Sequence, residues 1–412
     1  MGKGRNKNKD KDSSTAATFS AKIRTGRTAD DSDSDCMSES THLTFDDDLR
    51  SVQGEAASDD LEDCTFVESL SEHIENASHK TVSIRIAALQ NLQFALTARY
   101  LPDFVLKWKT TLVDLATKAI KKTNPEFLVG SQLLAVIAVQ IGEEVADEIE
   151  DALNVMRAVL SDPSRPEGVR AFAARNIGIT AHLACNSELI HLNCTKALAD
   201  TWTSFKVDQV GAQTSASIFG ASLMSWCLLC SENVSSAFPE QPRLVSYVEG
   251  TQLEMRLAAG EALAFLYEQA SSYNHRFANH DYLANILREQ ANDGGKSKTK
   301  RDKRVQKFTF RQIYSFIVGG ESPSLCIKFQ GENLELDSCY YKMLYDVLCE
   351  LLRGGMMRQL KENVHLREIF DIGPPAEVIG EKMAKQSRMH LQNSINKVRD
   401  QQRAKQRDKR TC

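Results

Sequence analysis

The sequence predicts an all-α chain: an armadillo/HEAT-like α-solenoid, followed by a small C-terminal domain with a short β-hairpin and a protruding basic helix. Three observations predict it. From about residue 62 to 290, apolar residues recur at helical spacing in runs separated by short joins, as in stacked helical pairs. A pattern apolar–Arg–x–x–Ala–x–x–x–Leu/Ile occurs at Arg85, Arg170 and Arg256, with steps of 85 and 86 residues, twice the ~43 of a HEAT or armadillo unit. Charge is segregated along the chain, and its last stretch is strongly basic.

Residues 1–60 read as a disordered charged tail, because Gly, Ser, Thr, Asp and Lys dominate and apolar residues are isolated. Residues 1–29 carry eight Lys/Arg and two acids, whereas 30–63 carry thirteen acids and one Arg. The acidic stretch surrounds Ser32, Ser34 and Ser38, the setting that acid-directed kinases favour; phosphate there would deepen the negative charge. The same stretch also reads as a solvating linker, or as a tail that folds back on the basic C-terminus.

The repeat domain is expected over 61–290. Its helices are predicted at 62–77, 79–99, 103–121, 125–141, 143–161, 166–184, 187–206, 212–231, 240–249 and 252–270, or about five pairs. Pro125 and Pro166 stand where helices start. In the repeated pattern, Ala at +3 permits close packing and Leu/Ile at +7 continues the same face.

Residues 291–307, with seven Lys/Arg and two Asp, read as a basic linker. A small domain is expected at 308–375. Within it, 325–330 and 333–337 alternate apolar and polar about Gly331 and predict a hairpin. Helices are predicted at 339–353 and 356–370, punctuated by Gly354-Gly355 and closed by Gly373-Pro374-Pro375.

Residues 376–412 are expected to form the basic helix. From Glu381 onward, ten Lys/Arg face three acids, with neither Gly nor Pro to interrupt a helix. The cations are Lys382, Lys385, Arg388, Lys397, Arg399, Arg403, Lys405, Arg407, Lys409 and Arg410. At ~1.5 Å per residue they span about 45 Å. A helix polar all round buries nothing in its own domain, and a cationic one suits a polyanion, with strongly salt-dependent binding. Aromatic residues are absent, which favours backbone contacts to structured RNA over base stacking. Leu391, Ile395 and Val398 form a narrow apolar seam that fits either this protein's own solenoid or a partner groove. The basic cluster Lys300, Arg301, Lys303 and Arg304 precedes the small domain and joins the candidate RNA-binding set.

Catalytic signatures are lacking. The sequence has no Walker loop, dinucleotide glycine fingerprint, nucleophile elbow or HExxH motif. Cys227-x-x-Cys230 has no second ligand pair at zinc spacing and reads as core packing, so no metal or cofactor is expected. The acidic cluster from Glu143 to Asp151 reads as a solvated face or a docking surface for a basic partner, and His182 and His191 as packed or capping residues. No run of 18 apolar residues and no apolar leader occurs, and Asn6 argues against myristoylation. Ten scattered cysteines without a leader suggest reduced intracellular thiols. No membrane or small-molecule substrate is expected as a partner.

Three features together resemble the interferon-related developmental regulators. They are the helical repeat body, the segment Phe310-Arg-Gln-Ile-Tyr-Ser-Phe-Ile317, and Leu334-Glu-Leu-Asp-Ser338 with Leu366-Arg-Glu-Ile-Phe-Asp-Ile-Gly-Pro-Pro375. The resemblance spans about 60–410 and is most specific in 308–375. It implies an armadillo-like, non-enzymatic regulator associated with transcriptional co-regulation in differentiation and with translationally inactive ribosomes. It further implies that the basic C-terminal helix occupies ribosomal RNA-lined space that mRNA or tRNA would use, with Lys382–Arg410 matching in charge and helix potential.

The leading expectation is therefore a regulator that binds ribosomal RNA and proteins, occludes the mRNA/tRNA path and represses translation in the cytoplasm. The alternatives are a transcriptional co-regulator scaffold, with 300–304 and 405–410 serving as nuclear localisation signals, and a repeat adaptor that binds only protein.

Overall fold

The computed structural model describes residues 59–207, 213–292, 299–322, 324–329 and 332–375. Proline sets several helix starts. Pro102, Pro125 and Pro242 stand in the first turns of α3 (Pro102–Ile120), α4 (Asn124–Ile141) and α9 (Gln241–Glu249), where the missing N–H has no intrahelical acceptor anyway. Pro166 immediately precedes α6 (Glu167–Ala184). The remaining helices of the body are α1 (Asp59–Asn76), α2 (Val82–Ala98), α5 (Glu150–Ser161), α7 (Glu188–Thr203), α8 (Gln213–Cys230), α10 (Leu253–Ser272), α11 (His280–Asn292) and α12 (Lys300–Gly319).

Each odd-numbered helix packs on the even-numbered helix that follows it, giving six helical pairs among the described residues. The even helices α2, α4, α6, α8, α10 and α12 pack one on the next in a single inner row. Outside them, α3, α5 and α7 lie side by side, as do α9 and α11. This is an all-α solenoid. The repeated arginines mark its register: Arg85, Arg170 and Arg256 are each the fourth residue of alternate inner helices, α2, α6 and α10.

Glycine sets how closely the row packs. A Cβ on Gly178 of α6 would lie 2.5 Å from Ser225 Cβ on α8, where neither atom can rotate away. Gly178→Ala is expected to lower the unfolding free energy by about 1–3 kcal/mol through overpacking. Adding Ser225→Gly should restore part of that loss in denaturant titrations, whereas equal stability of Gly178→Ala and wild type would mean that the row tolerates a wider spacing.

The structure departs from the sequence expectation in four places, the first being α11 (His280–Asn292), which none of the ten predicted helices covers. Residues 300–307, expected in the basic linker, are the first turns of α12. The helix starts where the Thr299 side chain accepts the Asp302 N–H at 3.1 Å, and it ends at Gly320 in the left-handed region (φ 71°). Gln306, Phe310, Ile313 and Ile317, on one helical face, are buried, so α12 joins α11 as a sixth pair instead of ending the row at five. The helix expected at 143–161 is a 3-10 turn at Gly142–Val145 followed by α5. The helix expected at 356–370 breaks at Asn363 into α14 (Met356–Glu362) and α15 (Val364–Ile369), because the Asn363 side chain accepts the Leu366 N–H and starts a new helix.

β1 (Leu325–Phe329) and β2 (Glu332–Leu336) form the expected antiparallel hairpin, pairing Leu325 with Leu336 and Ile327 with Leu334. α13 (Cys339–Leu352) then crosses the inner row, touching α10, α8, α6 and α4, and α14 and α15 continue onto α2 and α4. Buried residues from Leu70 to Ile372 belong to one continuous hydrophobic core, so 308–375 shares the core of the solenoid. Helix α4 is apolar enough by composition to cross a membrane, but 83% of that window is buried inside the protein, as befits a central core helix.

Candidate nucleic-acid interface

The return path of α13–α15 is built from polar groups placed where helices leave acceptors open. The last carbonyls of any helix lack an intrahelical donor. At the end of α2, Leu96 O receives Nε2 of Gln140 (2.6 Å) and of Gln359 (3.0 Å), and Arg99 O receives both amides as well (2.9 and 3.1 Å). Gln140 also accepts the Leu101 N–H at 2.7 Å. One helical turn beyond Gln359, Asn363 Nδ2 donates to Val139 O of α4 at 2.8 Å. One further turn on, the buried Arg367 guanidinium donates to Glu332 Oε2 (2.7 Å), Gly373 O (2.6 Å) and Leu360 O (3.0 Å). At the other end, the Glu268 carboxylate of α10 accepts the first two N–H groups of α13, from Cys339 (2.8 Å) and Tyr340 (3.0 Å). The inner row is therefore covered along much of its length by the chain's own C-terminal segment.

Most other titratable residues flagged in the sequence serve the fold. Cys227 and Cys230 are buried in α8, and burial pushes the thiol of Cys230 up to about 12 and that of Cys227 well above its ordinary value. Among the described residues, no group of three His, Cys, Asp or Glu is arranged to hold a metal. The acidic cluster is partly neutralised from α3: Lys109 Nζ pairs with Glu148 (3.1 Å) and donates to Glu144 O (2.7 Å), and Lys121 pairs with Asp151 (2.6 Å). Burial, with His191 nearby, pulls His182 down to about 4, so its neutral ring shares a hydrogen bond with the Tyr340 hydroxyl at 2.9 Å. His191 lies 3.5 Å from Glu232.

The basic face of α12 differs from these. Arg301 and Arg304 are exposed and Lys303 is half-buried, and Lys300 opens the helix. Among the described residues, no carboxylate stands within ion-pairing distance of Arg301, Lys303 or Arg304. α12 itself is anchored by a buried relay, with Arg256 Nη2 donating to Gln306 Oε1 (3.0 Å) and Gln306 Nε2 to Gln290 Oε1 (2.9 Å). Its cations therefore project from a fixed support.

A second basic feature escaped sequence reasoning. Lys80, Lys118 and Lys122 converge with Arg85 on a cavity of about 260 Å³ between the first two helical pairs. Only the stacking of the pairs brings them together. There Arg85 is engaged by the buried Glu126 at 2.6 Å.

The terminal candidates Lys382, Lys385, Arg388, Lys397, Arg399, Arg403, Lys405, Arg407, Lys409 and Arg410 lie outside the described residues. So do Leu391, Ile395, Val398 and the candidate phosphorylation sites Ser32, Ser34 and Ser38. The last described residues place the start of that segment: Arg367 of α15 also donates to Pro374 O, and α15 packs on α4. Four steps of the inner row separate α4 from α12, on the order of 35 Å at ~9 Å between helix axes. The N-terminal end of α12 and helix α15 thus stand at well-separated steps of the solenoid.

The chain is similar to proteins of one family. The family description "Interferon-related developmental regulator (IFRD)" matches residues 32–318, and "Interferon-related protein conserved region" matches 363–411. Interferon-related developmental regulator 2 of Mus musculus is 30% identical over 397 residues, covering 92% of this chain and 89% of that protein. Interferon-related developmental regulator 1 of Sus scrofa is 30% identical over 351 residues, covering 80% and 78%. A designed armadillo repeat protein aligns with 60% of this chain and 99% of its own, at 12% identity and a TM-score of 0.36.

Proposed function

Because the chain belongs to the interferon-related developmental regulator family, we propose that it is a non-enzymatic regulator that binds translationally inactive ribosomes, its basic C-terminal segment occluding the mRNA/tRNA path and repressing translation. The observation that carries this reading is the distribution of positive charge along the chain. On α3, Lys109 pairs with Glu148 and Lys121, just after its end, with Asp151. The basic face of α12 and the ten Lys/Arg after Glu381 are concentrated where the chain has few acids. Phosphate contacts of this kind are individually weak and additive, so affinity falls steeply with salt.

In this reading the solenoid is a rigid spacer with protein-binding outer helices, acting in the cytoplasm. Reversing Arg399, Arg403, Lys405 and Arg407 to Glu in the full-length chain is expected to move it from the ribosomal to the light fractions of a sucrose gradient. It should also flatten the salt dependence by about one unit of log–log slope per lost phosphate contact. Unchanged co-sedimentation of the reversed variant would remove the proposed role of the terminal segment.

A second reading, a transcriptional co-regulator scaffold active in the nucleus, is favoured by Leu189 and Leu192 on α7. They are 68% and 61% exposed one turn apart, as an apolar contact with a partner protein would require. A scaffold would keep its partners after the charge reversal and lose them on Leu189→Ser with Leu192→Ser.

A further inference from the structure

One face of α12 carries more than charge. Arg301, Arg304, Val305, Phe308 and Arg311 recur at helical spacings of three and four and are all exposed, Phe308 by 56% and Val305 by 42%. The opposite face, through Gln306, Phe310, Ile313 and Ile317, is buried against the body of the solenoid. A phenylalanine this exposed is not a core residue that missed its place, because Phe310 two positions on fills that role with no exposure at all. Arg304 lies one turn before Phe308 and Arg311 one turn after, and no carboxylate of the described residues pairs with either. An aromatic ring flanked on both sides by unpaired guanidinium groups matches a nucleotide chemically: the ring offers a stacking surface and the guanidinium groups offer bidentate phosphate contacts.

We propose that this face of α12 binds RNA carrying an unpaired base, which stacks on Phe308 while Arg301, Arg304 and Arg311 contact the flanking phosphates. The proposal rests on the RNA-binding reading above and adds a second, chemically distinct contact. The terminal segment lacks aromatics and suits backbone recognition alone, whereas α12 senses whether a base is available. Since α12 closes the solenoid, this contact lies far along the inner row from α15, which packs on α4.

The test uses the full-length chain and two probes: a short single-stranded RNA with one 2-aminopurine, and a blunt RNA duplex of the same sequence. Wild type is expected to quench 2-aminopurine fluorescence on binding and to prefer the single strand. Phe308→Ala should lose the quenching and weaken single-strand binding roughly 10-fold or more. Phe308→Trp should keep both, and Phe94→Ala, which removes a still more exposed ring on α2, should behave as wild type. Changing Arg301, Arg304 and Arg311 together to Gln should weaken both probes and flatten the salt dependence. Quenching that survives in Phe308→Ala, full activity of Phe308→Leu, or displacement of the RNA by polyglutamate at equal charge would each overturn the proposal. Its failure is separable from that of the ribosome reading: quenching that survives in Phe308→Ala would overturn this contact alone, whereas unchanged ribosome co-sedimentation of the terminal charge-reversal variant would overturn the role of the terminal segment alone.

Discussion

Replacing Arg367 by methionine lowers the unfolding free energy by about 3–5 kcal/mol, the usual cost of removing one partner from a buried ion pair. Arg367 is 2% exposed, and its guanidinium joins β2, α14 and the Gly373-Pro374 turn through Glu332 Oε2, Leu360 O, Gly373 O and Pro374 O. Methionine fills similar volume but leaves a carboxylate and a cluster of carbonyls without their donor. Because those acceptors belong to separate segments, the loss also loosens the return path over α2 and α4. Hydrogen exchange should show it first at α14, α15 and the hairpin, with α6–α10 unchanged. The double variant Arg367→Met with Glu332→Gln should recover part of the stability. If it recovers none, the charge left behind is not what destabilises the single variant.

The second large effect is expected at the first repeated arginine. Glu126 is 1% exposed, accepts Arg85 Nη2 at 2.6 Å and Nε at 2.9 Å, and takes the Thr123 hydroxyl at 3.0 Å. Burial alone would push this carboxyl up. The hydrogen bonds from Arg85 and Thr123, with the charges of Arg85 and Lys122, outweigh it and hold the carboxyl below its ordinary value. A carboxyl whose folded value is depressed contributes stability above its unfolded value, near 4.3, and loses it as pH falls through the folded value. Arg85→Met removes the main opposing group and leaves a buried carboxylate, so a loss of about 3–5 kcal/mol is expected near pH 7. The gap to wild type should narrow as pH falls through the carboxylate range, first as the buried Glu126 takes up a proton in the variant and then as wild type loses its own contribution. A gap constant from pH 7 to pH 3 would assign the loss to packing and to the His79 and Lys80 carbonyls that Arg85 also holds.

The legible part of this fold was the part governed by local periodicity. The apolar runs located α1–α10 to within a few residues, except the start of α5, and the repeated arginine fell on the same turn of α2, α6 and α10. The alternation about Gly331 located both strands. What was not legible depends on distant partners. Residues 300–307 follow Gly294-Gly295 and are rich in Lys, so they resemble a linker; Gln306 and Phe310 commit them to a helix only because α10 and α11 are there to receive them. Gln359, Asn363 and Arg367 are polar and spaced by four, which reads as a solvated face. They are buried because their acceptors are carbonyls and a carboxylate from elsewhere in the fold, with Val139 and Leu96 lying 224 and 263 residues upstream. At the candidate interface, composition identified the basic residues from Lys300 to Arg311, whereas Phe308 could be grouped with them only once α12 was known to start at Lys300 and to bury the opposite face.

The double set of acceptor contacts at the end of α2 has a meaning for the order in which the chain is made. Gln140 is synthesised 44 residues after Leu96 and Gln359 another 219 later. At ~5–20 residues per second the first amide is available within roughly 2–9 s and the second only after about 13–53 s. Gln140 can therefore secure the first two helical pairs early, while the inner row behind them stays open for most of synthesis. A nascent chain of this protein should offer that open row to chaperones, and the row becomes closed to such helpers only when α14 and α15 leave the exit tunnel.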